Sequence, residues 1–343
     1  MKPKHLSLTS LALTSFTTLT LFITGIAGTL AVTGCGDSGE KQPSVSVKPA
    51  SDAVRKLAFV TNVPADFWNI AKAGIEAADA ELPNYTVEFR VGDGTAAKQK
   101  EIVEDLIVKG VVGIAISPVD AGNQTVMLNK AAEQALLICQ DSDAPNSKRA
   151  FYLGTDNVAA GRAAGEMVKE ALPNGGTVMA FVGKKDQQNA KERFQGLNEA
   201  LKDSNIKVLD LRADDGDRAR AKSNAADALT KYPDLGCLVG LWAYNAPAIL
   251  GAIKDANQLG KVKVVAFDEE DQTLEGVKNG SVFGTVVQQP YEFGYQSMKL
   301  MAQHLAGDTS FLKADKLMFV PTQKIKAENV DAFWAKLKQQ RGQ

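Results

Sequence analysis

Six short segments of this chain collect side chains suited to gripping a polar, uncharged molecule. Asn62–Trp68, Pro118–Asp120, Gln140–Asp143, Gly183–Asn189, Trp242–Asn245 and Asp268–Asp271 are rich in carboxylates, amides and aromatic rings, and poor in glycine. Vicinal hydroxyls both donate and accept, so they pair well with Asp, Asn and Gln and with the fork of an Arg. The C–H face of a sugar ring packs on indole or phenyl faces. Phosphate cradles require the opposite composition. No G-x-G-x-x-G follows the first β-rich run, and Gly183-Lys184-Lys185 lacks the upstream glycine and the Ser/Thr of a P-loop, which argues against dinucleotide and NTP chemistry.

Counts narrow the chemistry further. With two histidines and three cysteines in 343 residues, neither a multi-ligand zinc site nor a disulfide scaffold is expected. The 39 Lys+Arg nearly balance the 40 Asp+Glu, so there is no excess of positive charge for nucleic acid. No metal and no cofactor is expected. Asp141 and Asp268 could in principle act as paired carboxylates on a glycoside. They fall in opposite halves of the layout, and no Ser-His-Asp set accompanies them, so the reading is a binding protein rather than an enzyme.

The segments sit where an alternating βα chain would place them. Runs at Leu57–Thr61, Thr86–Val91, Val111–Ser117, Ala135–Cys139, Thr177–Val182, Lys207–Leu211, Leu235–Leu241, Val262–Phe267 and Val282–Val287 read as strands, several of them apolar on both faces. Between them, apolar residues recur at helical spacing, as in Phe67, Ile70, Ala71, Gly74, Ile75, Ala78 and Leu82. This rhythm predicts doubly wound α/β architecture. Nine strands are too many for one comfortable sheet, so two parallel-sheet lobes are expected. Ligands of such sheets lie beyond the strands' carboxyl ends, where the six segments fall. Cys139 and Cys237 stand in apolar runs, as small buried hydrophobes would.

Across Lys56–Thr322 the sequence resembles the periplasmic sugar-binding proteins of the ribose-binding type, the type I substrate-binding proteins of ABC importers. The resemblance is carried by Ile116-Ser-Pro-Val-Asp120, Gly154-Thr-Asp-Asn157, Lys191-Glu-Arg193, Tyr232-Pro-Asp234, Ala266-Phe-Asp268 and Val287-Gln-Gln-Pro290, in that order. It implies two lobes joined by a three-crossing hinge and closing on one monosaccharide or polyol. Residues 55–155 with 289–319 would form the N-terminal lobe, and 156–288 with 320–343 the C-terminal lobe. Phe67 and Trp68 match the aromatic pair that sandwiches the ring. Asp141, Arg193, Asn245, Asp268 and Gln288 match polar ligands of the sugar. Asn245 serves equally as a helix N-cap, and Asp66 reads as an N-cap before Phe67. Where the ribose binders carry an arginine after the first aspartate, this chain has Ser142 and Asp143, and Asp143 either touches ligand or forms a turn. Gly216 replaces the second-lobe aromatic, a surface that Trp242 and Tyr244 would have to supply.

The N-terminus reads as an address. Lys2 and Lys4 precede an uncharged, apolar and hydroxyl-rich run that ends in Val32-Thr33-Gly34-Cys35. That ending resembles a lipobox, so residues 1–34 are read as a lipoprotein signal peptide and Cys35 as the lipidated residue. Residues 35–54, with Gly, Ser and Pro, form a tether of roughly 25 Å reach. The expectation is a monomeric lipoprotein anchored to a membrane and facing the periplasm or cell surface. Its partner would be an ABC permease or, alternatively, a sensor kinase or chemoreceptor. A lactose-repressor-type regulator shares the lobe pair but needs an N-terminal DNA-binding domain where the export signal lies.

Overall fold

The computed structural model describes residues 54–341. The segments read from the sequence as a signal peptide and a tether, Cys35 included, lie outside them except for Val54. The first half of the chain runs β1 (Arg55–Val60), α1 (Phe67–Ala80), β2 (Tyr85–Arg90), α2 (Ala96–Val108), β3 (Gly113–Ile116), α3 (Ala121–Ala132), β4 (Leu136–Gln140) and β5 (Tyr152–Gly154). Then follow α4 (Asn157–Ala171), β6 (Gly176–Val182), α5 (Gln188–Leu201), β7 (Ile206–Ala213), α6 (Arg218–Lys231), β8 (Leu235–Gly240), α7 (Asn245–Asp255), β9 (Lys263–Phe267), α8 (Asp271–Asn279) and β10 (Gly284–Val287). The chain ends with α9 (Pro290–Leu305), β11 (Leu317–Phe319), β12 (Gln323–Ile325) and α10 (Val330–Gln340).

These strands form two six-stranded sheets, ordered β11-β5-β4-β3-β1-β2 and β12-β10-β9-β8-β6-β7. All pairings are parallel except β12 against β10. Two α/β lobes with the same strand order result, as expected. The chain passes between the sheets after β5, after β10, and between β11 and β12. All nine expected strands are present. Strands β5, β11 and β12 escaped the sequence reading because three residues are too few to show a period.

Burial on both faces explains the continuous apolar runs. In β1, Leu57 and Phe59 enter one core cluster while Ala58 and Val60 enter the other. In β6, Met179 and Phe181 face one cluster, and Val178, Ala180 and Val182 face the opposite one. This two-sided alternation is the signature of a parallel sheet covered by helices. Cys139 and Cys237 lie buried and free in β4 and β8, in different sheets, and burial pushes both thiols upward.

Local chemistry sets the helix starts. Asp120, Asp156 and Asp217 accept from the first-turn amides of Asn123, Ala159 and Ala219, capping α3, α4 and α6. Two expected caps are absent. Asp66 already has helical backbone angles, so its carboxylate takes the Asn69 side-chain amide instead of a backbone N–H. Asn245 is the first residue inside α7, and its side chain is committed elsewhere.

Each lobe contains one helix pair in backbone contact at glycine. A Cβ on Gly161 of α4 would lie 2.1 Å from the Arg193 carbonyl oxygen on α5, and one on Gly196 would lie 2.0 Å from that of Val158. Gly74 and Gly294 do the same for α1 and α9. Gly161→Ala must therefore push α5 away. We expect it to cost about 1–3 kcal/mol of stability, read as a lower denaturation midpoint, whereas an unchanged midpoint would show that the helices separate freely.

Candidate functional site

Between the carboxyl ends of the two sheets lies a small cavity of about 50 Å3, walled by both lobes. β1 ends just before Asn62, and α1 opens with Phe67 and Trp68. β4, β9 and β10 deliver Asp141, Asp268 and Gln288 as the residues directly after their last positions. β8 leads to Trp242, and α5 carries Asn189 and Arg193. All of these line the cavity. A larger open groove runs between α1 and the α8 and α10 ends, but its lining is surface Lys, Glu and Gln, and none of the buried charged groups reach it.

The two aspartates share a backbone device. Asp141 and Asp268 have φ of 59° and 66°, in the left-handed region that aspartate tolerates better than most residues, at on the order of 1 kcal/mol. That reversal turns the chain off each strand's end at the cavity wall. Asp141 Oδ2 accepts from Ser117 Oγ at 2.6 Å and from Asn62 Nδ2 at 3.5 Å. Asp268 Oδ1 accepts from Gln288 Nε2 at 2.8 Å, and Gln288 Oε1 accepts from Thr155 Oγ1 at 2.9 Å. This chain of bonds ties two inter-lobe crossings to the cavity wall.

Arg193 is the central cation and is 1% exposed. Its Nε donates to Asn157 Oδ1 at 2.9 Å and its Nη1 to the Leu241 carbonyl at 2.7 Å, while Nη1 stands 3.9 Å from Asp268 Oδ2. The guanidinium lies 4.6 Å from the Phe267 ring centroid. Its Nη2 has no partner, nor do Asn189 Oδ1 and Trp242 Nε1. Three buried polar atoms around one cavity are thus short of hydrogen bonds, and such deficits are rare in folded proteins. Burial pushes the Asp141 carboxyl up to about 6, against the opposing pull of Arg193. Burial also raises Asp268.

The aromatic residues build the remaining wall. Trp68 meets Phe67 edge-on, with ring centroids 4.9 Å apart, and its Nε1 donates to Asn62 Oδ1 at 3.1 Å. Trp242 rests on Gly183, where a Cβ would come within 2.0 Å of the indole. Tyr244 stands beside Trp242 and lines the cavity too. Both line the cavity, and Gly216 does not.

Two expected residues do not reach the cavity. Asp143 forms a buried ion pair with Arg149, to which both of its oxygens are committed, and accepts from the Ala144 amide at 2.7 Å. The turn alternative describes it. Asn245 accepts from the Trp242 backbone N–H at 3.0 Å and donates to Asp214 Oδ2 at 3.0 Å, and it does not line the cavity.

Residues 57–309 match the profile of the periplasmic binding protein domain. The chain belongs to the periplasmic binding protein family, in its ribose-binding type. The ribose import binding protein RbsB of Salmonella typhimurium is 27% identical over 264 residues, covering 76% of this chain and 86% of its own length. The D-allose-binding periplasmic protein of Escherichia coli is 28% identical over 247 residues, covering 68% and 79%. A solute-binding protein of an ABC transporter from Burkholderia graminis, solved with D-arabinose, superposes with a TM-score of 0.75 at 26% identity, covering 82% of this chain and 98% of that one. The XylFII–LytSN complex contains a chain with a TM-score of 0.74 at 27% identity, with coverages of 80% and 98%.

In this periplasmic binding protein, Asn62 and Asn189 were not singled out from sequence, although both lie in the segments past strand ends that the βα rhythm marked. Asp214 gave no signal among the carboxylates of its Asp-Asp-Gly-Asp run. The described residues include no helix long and apolar enough to cross a membrane and no cluster of potential metal ligands.

Asp141 makes the ligand-free stability pH-dependent. Its folded value of about 6 lies above the ordinary carboxyl value, so the folded state holds the proton longer than the unfolded chain. Its contribution is fully present below about pH 4 and is lost as pH rises through about 6. Asp141→Asn should therefore gain on the parent by on the order of 3 kcal/mol between pH 4 and 7. Denaturant midpoints measured across that range check this, and parallel profiles would contradict it.

Proposed function

We propose that this protein captures a monosaccharide or polyol between its two lobes and delivers it to an ABC importer, from a lipid anchor on Cys35. One observation carries the reading: Arg193 Nη2, Asn189 Oδ1 and Trp242 Nε1 are buried and unpartnered around a cavity that also holds two carboxylates. A hydroxylated ring meets each of these needs, donating to Asp141, Asp268 and Asn189 and accepting from Arg193 and the indole. Phe67, Trp68 and Trp242 pack against its C–H surface. The names of the relatives, which mention ribose, allose and arabinose, favour the same ligand class.

Closure follows from the same contacts. Asp141 belongs to one sheet, whereas Asn189, Arg193 and Asp268 belong to the other lobe, so a ligand touching all four stabilises only the closed form. That differential contact is what shifts an open–closed equilibrium. A permease would then recognise the closed outline. The mechanism requires binding and release only, so we read the protein as a non-enzyme. The XylFII–LytSN complex favours a second reading, in which the closed form signals to a receptor partner instead.

Titration calorimetry against pentoses, hexoses and inositols tests the reading. At least one should bind with saturable heat, and Asp141→Asn should weaken it by about 10–100-fold, the worth of a charge-assisted bond. Absence of binding across the panel, or parent-like affinity in the variant, would overturn it.

A further inference from the structure

Charge around the cavity does not balance. Three charged side chains line it, the Asp141 and Asp268 carboxylates and the Arg193 guanidinium, so two anions share one cation. All three are buried, at 4%, 4% and 1% exposure. Arg193 stands by Asp268, with Nη1 3.9 Å from Asp268 Oδ2. Among the described residues no Lys, Arg or His nitrogen comes within 4.0 Å of Asp141.

The partners that Asp141 does have are neutral. Ser117 Oγ and Asn62 Nδ2 donate to its Oδ2, and the Asn189 amide reaches it from the other lobe. Its own loop adds no charge, because Ser142 has none and the buried Arg149 is bound to both oxygens of Asp143. A buried carboxylate without a counter-charge is costly. Burial accordingly holds Asp141 up at about 6 in spite of Arg193. At neutral pH it is still mostly ionised, an anion with no cation of its own.

A bare acceptor lies beside this anion. Asn189 is 3% exposed, and its Oδ1 receives no hydrogen bond. That oxygen shares an amide with the nitrogen that faces Asp141, so the two acceptors border the same part of the cavity. An ammonium group supplies what both lack, since it is positive and donates three hydrogen bonds while accepting none. A hydroxyl supplies a donor but no charge. The Phe67, Trp68 and Trp242 rings that line the cavity suit a cation as well as a C–H surface.

Resting on the sugar-binding reading above, we propose that the ligand is an amino sugar whose ammonium sits between Asp141 and Asn189 Oδ1. Its hydroxyls meet the remaining groups, donating to Asp268 and accepting from Arg193 Nη2 and Trp242 Nε1. The ligand completes the charge of the site, matching two carboxylates with one guanidinium and one ammonium. Asp141 and Asn189 belong to different lobes, so the ammonium adds to the contacts made only in the closed form.

Matched pairs test it on the full chain by titration calorimetry at neutral pH: D-glucosamine against D-glucose, D-galactosamine against D-galactose, D-mannosamine against D-mannose, and D-glucamine against D-sorbitol. The expected tightest ligand is an amine that binds about 10-fold or more better than its hydroxyl partner, the difference between a charge-assisted and a neutral bond. Asp141→Asn keeps the shape and removes the charge, and should bring that ratio to about 1, whereas general loosening of the site would weaken both partners alike. In the parent, lowering the pH from about 7 to about 5 protonates Asp141 and should weaken the amine about 10-fold, the charged groups facing Asp141 being Arg193 and Asp268 from the other lobe. A neutral sugar as the tightest ligand overturns the amine preference and leaves the sugar-binding reading intact. A ratio that survives in Asp141→Asn overturns the seat on Asp141; if that variant does not fold, a ratio that survives at the lower pH does so. Failure of every sugar and amine to bind sinks both readings.

Discussion

A guanidinium buried to 1% exposure beside the Asp268 carboxylate is the interaction on which the rest of this structure depends. Arg193 needs partners for its N–H groups, because a buried charge without them is strongly destabilising. Asn157 and the Leu241 carbonyl supply two, the Phe267 face supplies a weaker third, and Nη2 is left over. The site is therefore held rigidly on three sides and left one bond short on the fourth. Under the proposed function, that fixed geometry is what a ligand would meet, and its hydrogen bond would complete the set.

Supporting this one side chain takes much of the C-terminal sheet and its helices. Helix α5 can bring Arg193 against Asn157 only because Gly161 and Gly196 let two helix backbones touch. Asp268 faces it only because the chain turns left-handed directly after β9. Gln288, after β10, holds that aspartate and is itself held by Thr155 beyond β5. Two of the passages between sheets thus feel the state of one carboxylate. The cavity wall and these two passages are therefore joined by hydrogen bonds a few ångströms long.

Legibility followed element length and sequence distance. Nine strands were readable because parallel sheets buried on both faces demand long β-branched and aliphatic runs. The three short strands were not readable, since pairing with a neighbour rather than their own pattern makes them strands. Within the site, Phe67, Trp68, Asp141, Arg193, Trp242, Asp268 and Gln288 fall in the cavity where strand ends and the family motifs pointed. Asp143 and Asn245 do not, and in both cases the cause is a neighbour that the linear sequence hides. Arg149, six residues on from Asp143, claims it across a turn; Asp214, 31 residues before Asn245, claims it from another strand.

The sequence by itself determined the architecture, the end of each sheet at which chemistry gathers, and the residue types available there. These depend on periodicity and on punctuation at strand ends, which are local properties. Only the tertiary structure decided which polar side chains are free. Asp143, Asp214, Tyr244 and Asn245 look as available as Asp141 or Asp268 when read along the chain. Hydrogen-bonding capacity is spent pairwise, and the partner that spends it is chosen by packing, not by position in the sequence.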